Sequence, residues 1–471
     1  MHEHTPESRA LRERVWHYVK NRLDMHPAPL DGPVSEEELA AAAGTSITEK
    51  GIGGEEALRL FGDVFAPASI SVDHPGYVSF IPSAPTEAAS LFDLVVSASS
   101  LYAGSWLEGA GAVFAENEVL SWLANEVGMP AGAGGVFVQG GTLGNLSALV
   151  AARETAIAKH EAAGKLIPAR WSFVCSAEAH SSLASAARVM SCDIIKAPVD
   201  AEGRLTGSAV EAAVASAEHG WSNAFAVVAT AGTTNFGIVD RLDEIAEVAH
   251  AHEVWMHVDG AYGLAGILSP AHRQLFAGIE KADSFIVDPH KWLFAPFDAC
   301  ALVYREPELA RHAHSQHGEY LEVLTEAPEW NPSDYAVHLT RRARGLPLWF
   351  SMATYGVAAY RETIAANIEL AHEFAEIVRS RPGMTLVREP ELSVVVWERD
   401  GWTKADYQRW SDKLLADQVA LVMPSSLNGR PHTRVALINP ETSLELLVQI
   451  LDSMSETDTE AVTTPEETEQ P

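Results

Sequence analysis

A lysine and an aspartate that each follow an apolar run could together perform covalent chemistry. Lys291 stands in Asp288-Pro289-His290-Lys291-Trp292, directly after the apolar run of residues 284–287. A lysine at the end of a buried strand can lose its proton and attack an aldehyde, although it could equally extend into solvent. Asp259 follows the apolar run 254–258. It could cap a helix, or it could pair with a buried ring nitrogen and keep that ring protonated.

Three further polar features also follow apolar runs. Gln139-Gly140-Gly141-Thr142 precedes a helical pattern, so its glycines and the N–H groups of the helix start could hold a phosphate. An ordinary tight turn is the alternative. His180 could stack on an aromatic ring and contact a carboxylate, or it could be a structural histidine. The hydroxyls of Thr233 and Thr234 could bond a cofactor oxygen, although turn chemistry explains them equally well.

The order of these features is hard to reach by accident. It runs from a glycine turn through a histidine and two threonines to an aspartate and a lysine. Together they offer a phosphate site, an acid for a ring nitrogen and an amine nucleophile, which are the groups that pyridoxal 5′-phosphate (PLP) requires from a protein. The sequence therefore predicts a PLP site and no metal ion.

Alternating strands and helices must position these residues. Apolar strands are predicted at residues 136–138, 171–175, 224–229, 254–258 and 284–287, each followed by a loop and a helical pattern. Such strands indicate a mostly parallel sheet that is covered on both faces, with ligands bound at the carboxyl ends of the strands. Asp240 is predicted to cap a helix, and Thr442 with Glu445 to form a capping box at the last helix.

The α/β region is predicted to be flanked by smaller parts. Residues 1–84 are expected to form an N-terminal helical dimerisation segment, in which an amphipathic helix at residues 8–25 packs on another surface. Residues 85–350 would form the large PLP-binding α/β domain, and residues 351–454 a small C-terminal α+β domain. Residues 455–471 are rich in Glu, Thr and Pro, which predicts an acidic disordered tail.

The composition argues against several classes of partner. The formal net charge is −31 over 471 residues, and such a charge is repelled by nucleic acid and by anionic lipid. No apolar run is long enough to predict a membrane span. Only three cysteines occur, so no disulfide framework is expected and a reducing, cytoplasmic location is predicted. A small-molecule substrate remains the expected partner.

The motifs resemble those of the group II PLP-dependent amino-acid decarboxylases, which include aromatic-L-amino-acid, histidine and glutamate decarboxylases. The resemblance extends from about His74 to Pro440, and its most specific part is Asp288-Pro289-His290-Lys291, close to the family's Asn-Pro-His-Lys signature. It implies the PLP-dependent transferase fold (fold type I) and a homodimer with shared active sites. It also implies that Lys291 holds the cofactor covalently. Asp288 departs from the family's usual asparagine and would place a second negative charge near the phosphate.

The resemblance assigns roles to individual residues. It implies that Lys291, His180, Tyr320 and Asp259 are catalytic. Tyr320 lies 29 residues after Lys291 (320 − 291), where family decarboxylases carry the tyrosine that protonates the substrate carbon; the alternative is a loop aromatic that only packs. The implied cofactor-binding residues are Gly141, Thr142, His180, Thr234, Asp259, Ala261, His290 and Lys291. The implied substrate-binding residues are Phe80, Ile81, Pro82, Ser83 and Tyr102.

The implied reaction converts an L-amino acid to the corresponding amine and CO2. An aromatic amino acid is the first expectation, and an aliphatic or acidic one is the alternative, because the bulky pocket residues of animal aromatic decarboxylases are not reproduced here. Another fold-type I PLP enzyme is also possible, namely an aldehyde synthase, an aminotransferase or an aldolase-type lyase. A non-catalytic PLP-binding protein is disfavoured by the complete set of catalytic residues.

Overall fold

The computed structural model describes residues 2–81, 84–316, 329–427 and 429–456. The chain divides into two compact units. The larger unit takes the described residues of Ser83–His372 and Arg388–Val395. The other takes the described residues of Met1–Pro82, Glu373–Val387 and Val396–Pro471, and so combines both ends of the chain. The domain boundaries given above remain a prediction.

A seven-stranded sheet lies in the larger unit. Its strands in chain order are β1 (Gly134–Val138), β2 (Ser172–Ser176), β3 (Asp193–Ala197), β4 (Ala224–Thr230), β5 (Trp255–Asp259), β6 (Ser284–Val287) and β7 (Cys300–Tyr304). In space they follow the order β1-β7-β6-β5-β4-β2-β3. β7 runs antiparallel to β1 and β6, and the pairs from β6 to β3 are all parallel. The prediction of a mostly parallel sheet is therefore confirmed.

Burial explains why most of these segments are strands. Every residue of β1, β2, β4, β5, β6 and β7 is buried, as in sheets covered on both faces. The five strands predicted from apolar runs are confirmed, each within two residues. β3 and β7 are not predicted from the sequence. β3 is an edge strand with Asp193 and Lys196 exposed, so it lacks an uninterrupted apolar signal.

Helices of the larger unit precede, separate and follow these strands along the chain. They are α4 (Glu87–Ala98), α5 (Trp106–Val127), α6 (Gly141–Ala162), α7 (Ser181–Met190), α8 (Gly207–Ala215), α9 (Leu242–Ala251) and α10 (Pro307–His314). α6 lies against β4, β5, β6 and β7, and α9 lies against β4 and β5. Hydroxyl caps begin two of these helices: Thr86 Oγ1 accepts from the N–H of Ala89, and Ser105 Oγ accepts from the N–H of Glu108.

The other unit begins with α1 (Pro6–Leu23), α2 (Glu36–Ala43) and α3 (Gly54–Leu60). α1 confirms the predicted helix, and none of its residues is buried. Further along the chain lie α11 (Leu346–Ser380), whose residues up to His372 belong to the larger unit, and then α12 (Lys404–Ala416) and α13 (Leu444–Glu456). A second sheet is formed by β8 (Met384–Arg388), β9 (Val394–Arg399), β10 (Pro424–Leu427) and β11 (Arg430–Ala436), in the order β10-β11-β9-β8.

The predicted cap at Asp240 is wrong. α9 begins after Arg241, which makes no side-chain cap hydrogen bond. The Asp240 carboxylate instead accepts from the backbone N–H groups of Leu205 and Thr230, each at 2.7 Å. Leu205 is distant from Asp240 in the sequence, so a prediction based on neighbouring residues could not include this tertiary contact.

The predicted capping box at Thr442 is also wrong. The Thr442 hydroxyl donates to the carbonyl oxygen of Pro75 at 2.7 Å. The adjacent Ser443 takes its place, because its Oγ accepts from the N–H of Leu446 at 3.2 Å. Spacing in the sequence assigned the cap to Thr442, but a distant carbonyl group binds that hydroxyl and the adjacent Ser443 caps the helix.

The described residues also bear on membrane insertion, metal binding and disulfide bonding. Within the described ranges, no helix has the length and apolarity to cross a bilayer. In those same ranges, no three His, Cys, Asp or Glu side chains are grouped as metal ligands would be. Cys175, Cys192 and Cys300 are buried free thiols.

Candidate active site

A cavity of about 310 Å³ lies at the carboxyl ends of the parallel strands. Its lining comes mainly from the segments that end or follow β1, β2, β4, β5 and β6, as expected for ligand sites in such sheets. The lining residues are Gln139, Gly140, Gly141, Thr142, Asn145, His180, Ser182, Thr230, Gly232, Thr233, Thr234, Asp259, Ala261, Tyr262, Asp288, His290, Lys291 and Asp298.

The glycine turn between β1 and α6 forms one side of the cavity. A Cβ atom at Gly141 would lie 3.2 Å from both Ala261 Cβ and Asp288 Oδ2, so only glycine leaves this space open without displacing a neighbour. Gly140, the residue before α6, has no side chain that could cap the first N–H groups of the helix. The start of α6 therefore faces the cavity with the positive end of its dipole, which suits a phosphate.

Asp259 is the last residue of β5 and is only 5% exposed. Its Oδ1 accepts from the N–H of Ala261 at 3.2 Å, and its Oδ2 accepts from Asn145 Nδ2 at 2.8 Å. These two donors fix the plane of the carboxylate at the cavity wall. The acid is thus positioned to hydrogen-bond a protonated ring nitrogen.

Lys291 and Asp288 form an ion pair in the loop after β6. Lys291 Nζ lies 2.9 Å from Asp288 Oδ2, and the Asp288 side chain is 2% exposed. Burial by itself would lower the pKa of Lys291, but the carboxylates of Asp288 and Asp259 outweigh it and the pKa is raised. The amine is therefore held in its ammonium form by the carboxylates around it.

Cys300 is fully buried beside this pair, at the start of β7. Burial raises the pKa of its thiol well above the ordinary value, and the neighbouring Asp288 carboxylate adds to the effect. The Cys300 thiol is consequently protonated at ordinary pH and is not a nucleophile.

His180 is the residue that precedes α7 and serves as its cap. Its Nδ1 accepts from the N–H of Ser182 at 3.2 Å and lies 2.9 Å from the Ser182 hydroxyl. These contacts fix the orientation of the imidazole ring at the cavity wall. The histidine therefore has both a local structural role and a surface toward the cavity.

The segment after β4 supplies hydroxyl groups. Thr233 is buried and its Oγ1 accepts from the N–H of Ile238 at 3.2 Å. Thr234 is partly exposed and lines the cavity. Oγ1 of Thr230, also in the lining, is buried and has no hydrogen-bond partner among the described residues. A polar ligand in the cavity could satisfy it.

The structure gathers the predicted cofactor-binding residues around one cavity. All eight, from Gly141 to Lys291, are among its lining residues. Phe80, in the other unit, is 55% exposed and its carbonyl oxygen accepts from Arg434 at 3.0 Å. Ile81 is partly exposed. Tyr102 donates its hydroxyl to the carbonyl of Leu339 at 3.3 Å and is not in the cavity lining given above. Pro82, Ser83 and Tyr320 lie outside the described residues.

Several polar lining residues have no role in the sequence analysis, namely Asn145, Ser182, Thr230, Tyr262 and Asp298. Asn145 lies on the first turns of α6, and Thr230 is the last residue of β4. Asn145 is four residues after Gly141, so helical spacing from the glycine turn is a signal that could have located it. Thr230 ends an apolar strand, as Asp259 does, and the same positional argument applies to it.

These residues fit PLP. The cavity combines an amine for the aldehyde, a carboxylate for the ring nitrogen and a glycine turn at a helix start for the phosphate. The unpartnered buried hydroxyl of Thr230 shows that the protein leaves a hydrogen-bonding position for a ligand. The sheet and the cavity together define an α/β enzyme of the PLP-dependent class.

The sequence of the chain identifies its family. Residues 65–399 match the family model described as "Pyridoxal-dependent decarboxylase conserved domain". The chain belongs to this family and is a PLP-dependent amino-acid carboxy-lyase. The predictions of the family, the cofactor and the type of enzyme are therefore confirmed.

Curated relatives differ in substrate. An aromatic-L-amino-acid decarboxylase of Bacillus atrophaeus is 29% identical over 436 residues, which cover 90% of this chain and 89% of the relative. An L-2,4-diaminobutyrate decarboxylase of Rhizobium meliloti (strain 1021) is 30% identical over 426 residues, which cover 87% of this chain and 83% of the relative. The comparison thus supports the decarboxylase class and does not select one amino acid.

Solved structures confirm the predicted fold. The Oryza sativa TDC structure with PLP and tryptamine has a TM-score of 0.90 at 23% identity, over 98% of this chain and 100% of that one. Rhodiola rosea 4-hydroxyphenylacetaldehyde synthase has a TM-score of 0.86 at 21% identity, over 98% of this chain and 100% of that one. At these identities the likeness concerns the fold alone.

Proposed function

We propose that this enzyme decarboxylates an aromatic L-amino acid to the corresponding amine, with Lys291, Asp259, His180 and Tyr320 as its catalytic residues. The observation that carries the proposal is the single cavity that joins the Lys291 amine, the Asp259 carboxylate and the α6 glycine turn. The aromatic substrate is supported by the aromatic-L-amino-acid decarboxylases among the curated relatives.

The residues of the cavity would divide the work as follows. Lys291 Nζ would bind the aldehyde carbon of PLP, and Gly141 and Thr142 would hold the phosphate at the start of α6. Asp259 would hold a proton at the ring nitrogen through a charge-assisted hydrogen bond. Bound PLP supplies an electron-poor ring that stabilises the electron pair left when the carboxylate departs.

Other residues would orient the substrate and close the cofactor site. His180 would lie against the cofactor ring and position the substrate carboxylate. Thr234 would bond a cofactor oxygen or that carboxylate, while Ala261 and His290 would contact the cofactor. Phe80, Ile81, Pro82, Ser83 and Tyr102 are proposed to bind the substrate. Holding the Cα–carboxylate bond in one orientation is the main contribution expected from such contacts.

Tyr320 is proposed as the proton donor. Its phenolic O–H would deliver a proton to the substrate carbon after CO2 leaves, which produces the amine. The support is its position 29 residues after Lys291 (320 − 291), where family decarboxylases carry a tyrosine. A Tyr320→Phe enzyme should lose amine formation, and unchanged amine formation would reject this assignment.

The substrate is tested by product analysis. The PLP-loaded enzyme is incubated with each common L-amino acid and with L-2,4-diaminobutyrate, and both CO2 and the organic product are measured. We expect CO2 and amine in equal amounts, fastest from an aromatic amino acid. Faster turnover of diaminobutyrate would reject the aromatic assignment. An aldehyde would indicate an aldehyde synthase, and a keto acid without CO2 would indicate an aminotransferase.

A homodimer with shared active sites is proposed as the working form. The support is apolar surface: Leu107 and Phe114 on α5 are 71% and 64% exposed, and Val95 on α4 is 47% exposed. Large exposed apolar groups of this kind mark association surfaces. α1, which buries none of its own residues, would embrace the second subunit as part of a dimerisation segment at residues 1–84.

The remaining assignments of the sequence analysis are carried forward as proposals. Residues 85–350 would be the PLP-binding domain and residues 351–454 the small domain. The three free cysteines support a reducing, cytoplasmic location. The acidic tail at residues 455–471 lies almost wholly outside the described residues, and its disorder stays a prediction.

A further inference from the structure

Asn145 connects two residues that the proposed mechanism uses separately. It is 1% exposed, on the second turn of α6. Its Nδ2 donates to Asp259 Oδ2 at 2.8 Å and to Ser182 Oγ at 3.0 Å. Its Oδ1 lies 2.9 Å from His257 Nε2. Both the nitrogen and the oxygen of the amide are therefore engaged in hydrogen bonds with buried partners.

The chemistry of these partners fixes the direction of each hydrogen bond. A carboxylate can only accept, so the amide nitrogen must face Asp259 and the amide oxygen must face His257. His257 Nε2 is then the donor. Burial lowers the pKa of His257 to about 3, so the ring is neutral and its Nδ1 must accept from the Ser284 hydroxyl at 2.8 Å.

The hydrogen bonds that lead to Asn145 continue along β5. Trp255 Nε1 donates to Ser284 Oγ at 2.8 Å. Trp255, His257 and Asp259 alternate along β5 and so point to the same face of the sheet. Donation therefore runs without interruption from Trp255 through Ser284 and His257 to the amide oxygen of Asn145.

The other branch ends at His180. Ser182 Oγ accepts from Asn145, which leaves its own O–H to donate to His180 Nδ1, 2.9 Å away. The backbone N–H of Ser182, which can only donate, points to the same nitrogen at 3.2 Å. Neutral His180 must therefore carry its proton on Nε2, the nitrogen that makes no contact with Ser182.

We propose that Asn145 is a positioning residue that orients the Asp259 carboxylate and, through Ser182, holds His180 in the tautomer with the proton on Nε2. This inference rests on the proposed roles of Asp259 and His180. Its consequence is that His180 offers an N–H donor, suited to a substrate carboxylate, and that Asp259 keeps one orientation whether or not a ligand is present. Neither effect requires Asn145 to touch the substrate.

Asn145→Asp tests the direction of the network, because it keeps an acceptor for His257 and replaces the donor to Asp259 by a second carboxylate. Asn145→Ala removes both. Ser147→Ala is the matched control: Ser147 is buried on the same helix, and its hydroxyl accepts from Val337, away from the cavity lining. The other charged or titratable groups of the cavity are unaltered in all three proteins; they include Lys291, Asp288, Asp298, His180 and His290.

The readouts are the affinity of the cofactor-free protein for PLP, by fluorescence titration, and the pH midpoint of the absorbance change of bound PLP. We expect both Asn145 variants to bind PLP about 10-fold to 100-fold more weakly, the effect of losing one hydrogen bond to a charged group. The pH midpoint should move by about one unit in Asn145→Asp. Ser147→Ala should match the wild type in both.

Wild-type affinity and pH midpoint in both Asn145 variants would overturn the proposal, as would equal losses in Ser147→Ala. If neither Asn145 variant folds, Ser182→Ala takes their place. That variant keeps the backbone N–H donor to His180 Nδ1 but removes the hydroxyl that joins His180 to Asn145. We expect it to bind PLP more weakly and to shift the pH midpoint, and wild-type values for both would reject the link. The proposed reaction fails separately, by the absence of covalent PLP on Lys291 or of CO2 release.

Discussion

Asp288 is the residue that most clearly departs from the family signature. Where the resemblance leads one to expect asparagine, this chain has a carboxylate 2.9 Å from Lys291 Nζ. Its Oδ1 is buried with no hydrogen-bond partner among the described residues. The ion pair favours the ammonium form of Lys291, which cannot attack an aldehyde. Asp288 thus opposes cofactor capture until the proton leaves.

Replacing Asp288 by asparagine should therefore ease capture. In Asp288→Asn the pKa of Lys291 falls, because the largest favourable charge beside the ammonium is removed. We expect the pH midpoint for covalent capture of pyridoxal to drop by about one unit or more. Pyridoxal, which lacks the phosphate, is used so that repulsion between Asp288 and a phosphate does not enter. Capture is measured by borohydride fixation and mass spectrometry.

Asp298→Asn is the control for this experiment. Asp298 lines the same cavity, but its carboxylate pairs with Arg344 at 2.9 Å and not with Lys291. Its removal should leave the midpoint where it is. A midpoint that stays unchanged in Asp288→Asn, or that moves equally in both variants, would contradict the role given to Asp288.

At this scale the sequence predicts the residues whose type is itself informative. A lysine, an aspartate and a glycine turn after strands are visible without a structure, and all of them line the cavity. Asn145 is not visible in that way, since an asparagine in a helix has many possible roles. Its importance comes from three partners, on α7 and β5, that only the folded chain brings together.

Among the elements, α5 is tied to the segment before α11 by a buried ion pair. Arg341 and Glu116 make two hydrogen bonds, at 2.7 and 2.8 Å, and their side chains are 1% and 2% exposed. Arg341 also donates to the carbonyl of Ala103, and Glu116 accepts from the N–H of Gly345. The pair thus connects the segment before α5 and the middle of α5 to the segment that contains Arg341 and Gly345.

Breaking this pair should destabilise the protein strongly. Arg341→Met leaves the Glu116 carboxylate buried without its countercharge, and we expect a loss of about 3–5 kcal/mol in the free energy of unfolding. The measurement is urea unfolding followed by tryptophan fluorescence. The double variant Arg341→Met/Glu116→Leu should lose less than Arg341→Met alone, because no unpaired charge remains.

An exposed pair provides the comparison. Arg59 pairs with Glu56 and Asp63 on the surface, with its side chain 54% exposed. Arg59→Met should change the free energy of unfolding by no more than about 1 kcal/mol. Equal losses of unfolding free energy in Arg59→Met and Arg341→Met would show that burial does not determine how much these ion pairs stabilise the protein.

Helices and strands were predictable where the segment is fully buried and where its hydrogen-bond partners are close in the sequence. The strands that carry the site are continuous apolar runs, and each was placed within two residues. The edge strand β3 escaped prediction because its exposed residues interrupt the apolar run, whereas β7 is as apolar and as buried as the predicted strands, so its sequence did carry the signal. The two wrong caps, Asp240 and Thr442, share one cause: each side chain found a partner far away in the sequence.

For the molecule as a whole, Asp240 should make stability depend on pH. Burial raises the pKa of this carboxyl group to about 7, although two backbone N–H donors work in the opposite direction. In the unfolded chain an aspartate has a pKa of about 3.9. The folded chain therefore binds a proton here more readily, and this part of the stability is complete below about pH 4 and is lost as pH rises through 7.

Asp240→Asn should remove this dependence of the unfolding free energy on pH. The wild type is expected to lose on the order of 4 kcal/mol from this group between pH 4 and pH 7, and the variant to lose none of it. The new amide also faces a backbone N–H, which costs a constant amount at every pH. The test compares the unfolding free energy of both proteins across this range. Parallel curves would refute the prediction.

Association is the second prediction at this scale. Leu107→Glu/Phe114→Glu places two charges on the exposed apolar face of α5, and we expect the dimer to dissociate at concentrations where the wild type remains associated. Sedimentation velocity measures the change. Leu166→Glu is the control, since Leu166 is 93% exposed and lies outside that helix. A wild type that sediments as an active monomer would remove the proposed dimer.

The overall architecture was largely foreseeable, and a homodimer was expected from the resemblance, but the surface proposed for association was not. Alternating apolar strands and helices predict a layered α/β protein from one chain alone. The exposure of apolar residues such as Phe114, on which the proposed association surface rests, becomes evident only after the helices are placed.

The cavity draws on positions from Gln139 to Asp298, contributed by strands that are neighbours in space and distant along the polypeptide. A nascent chain emerging from the ribosome presents the glycine turn long before the lysine. Vitamin B6 can consequently be secured only after 150 further residues (291 − 141) have been synthesised and the strands that carry the site have joined. The cofactor can therefore bind only after the strands that carry its site have been synthesised and have folded into one sheet.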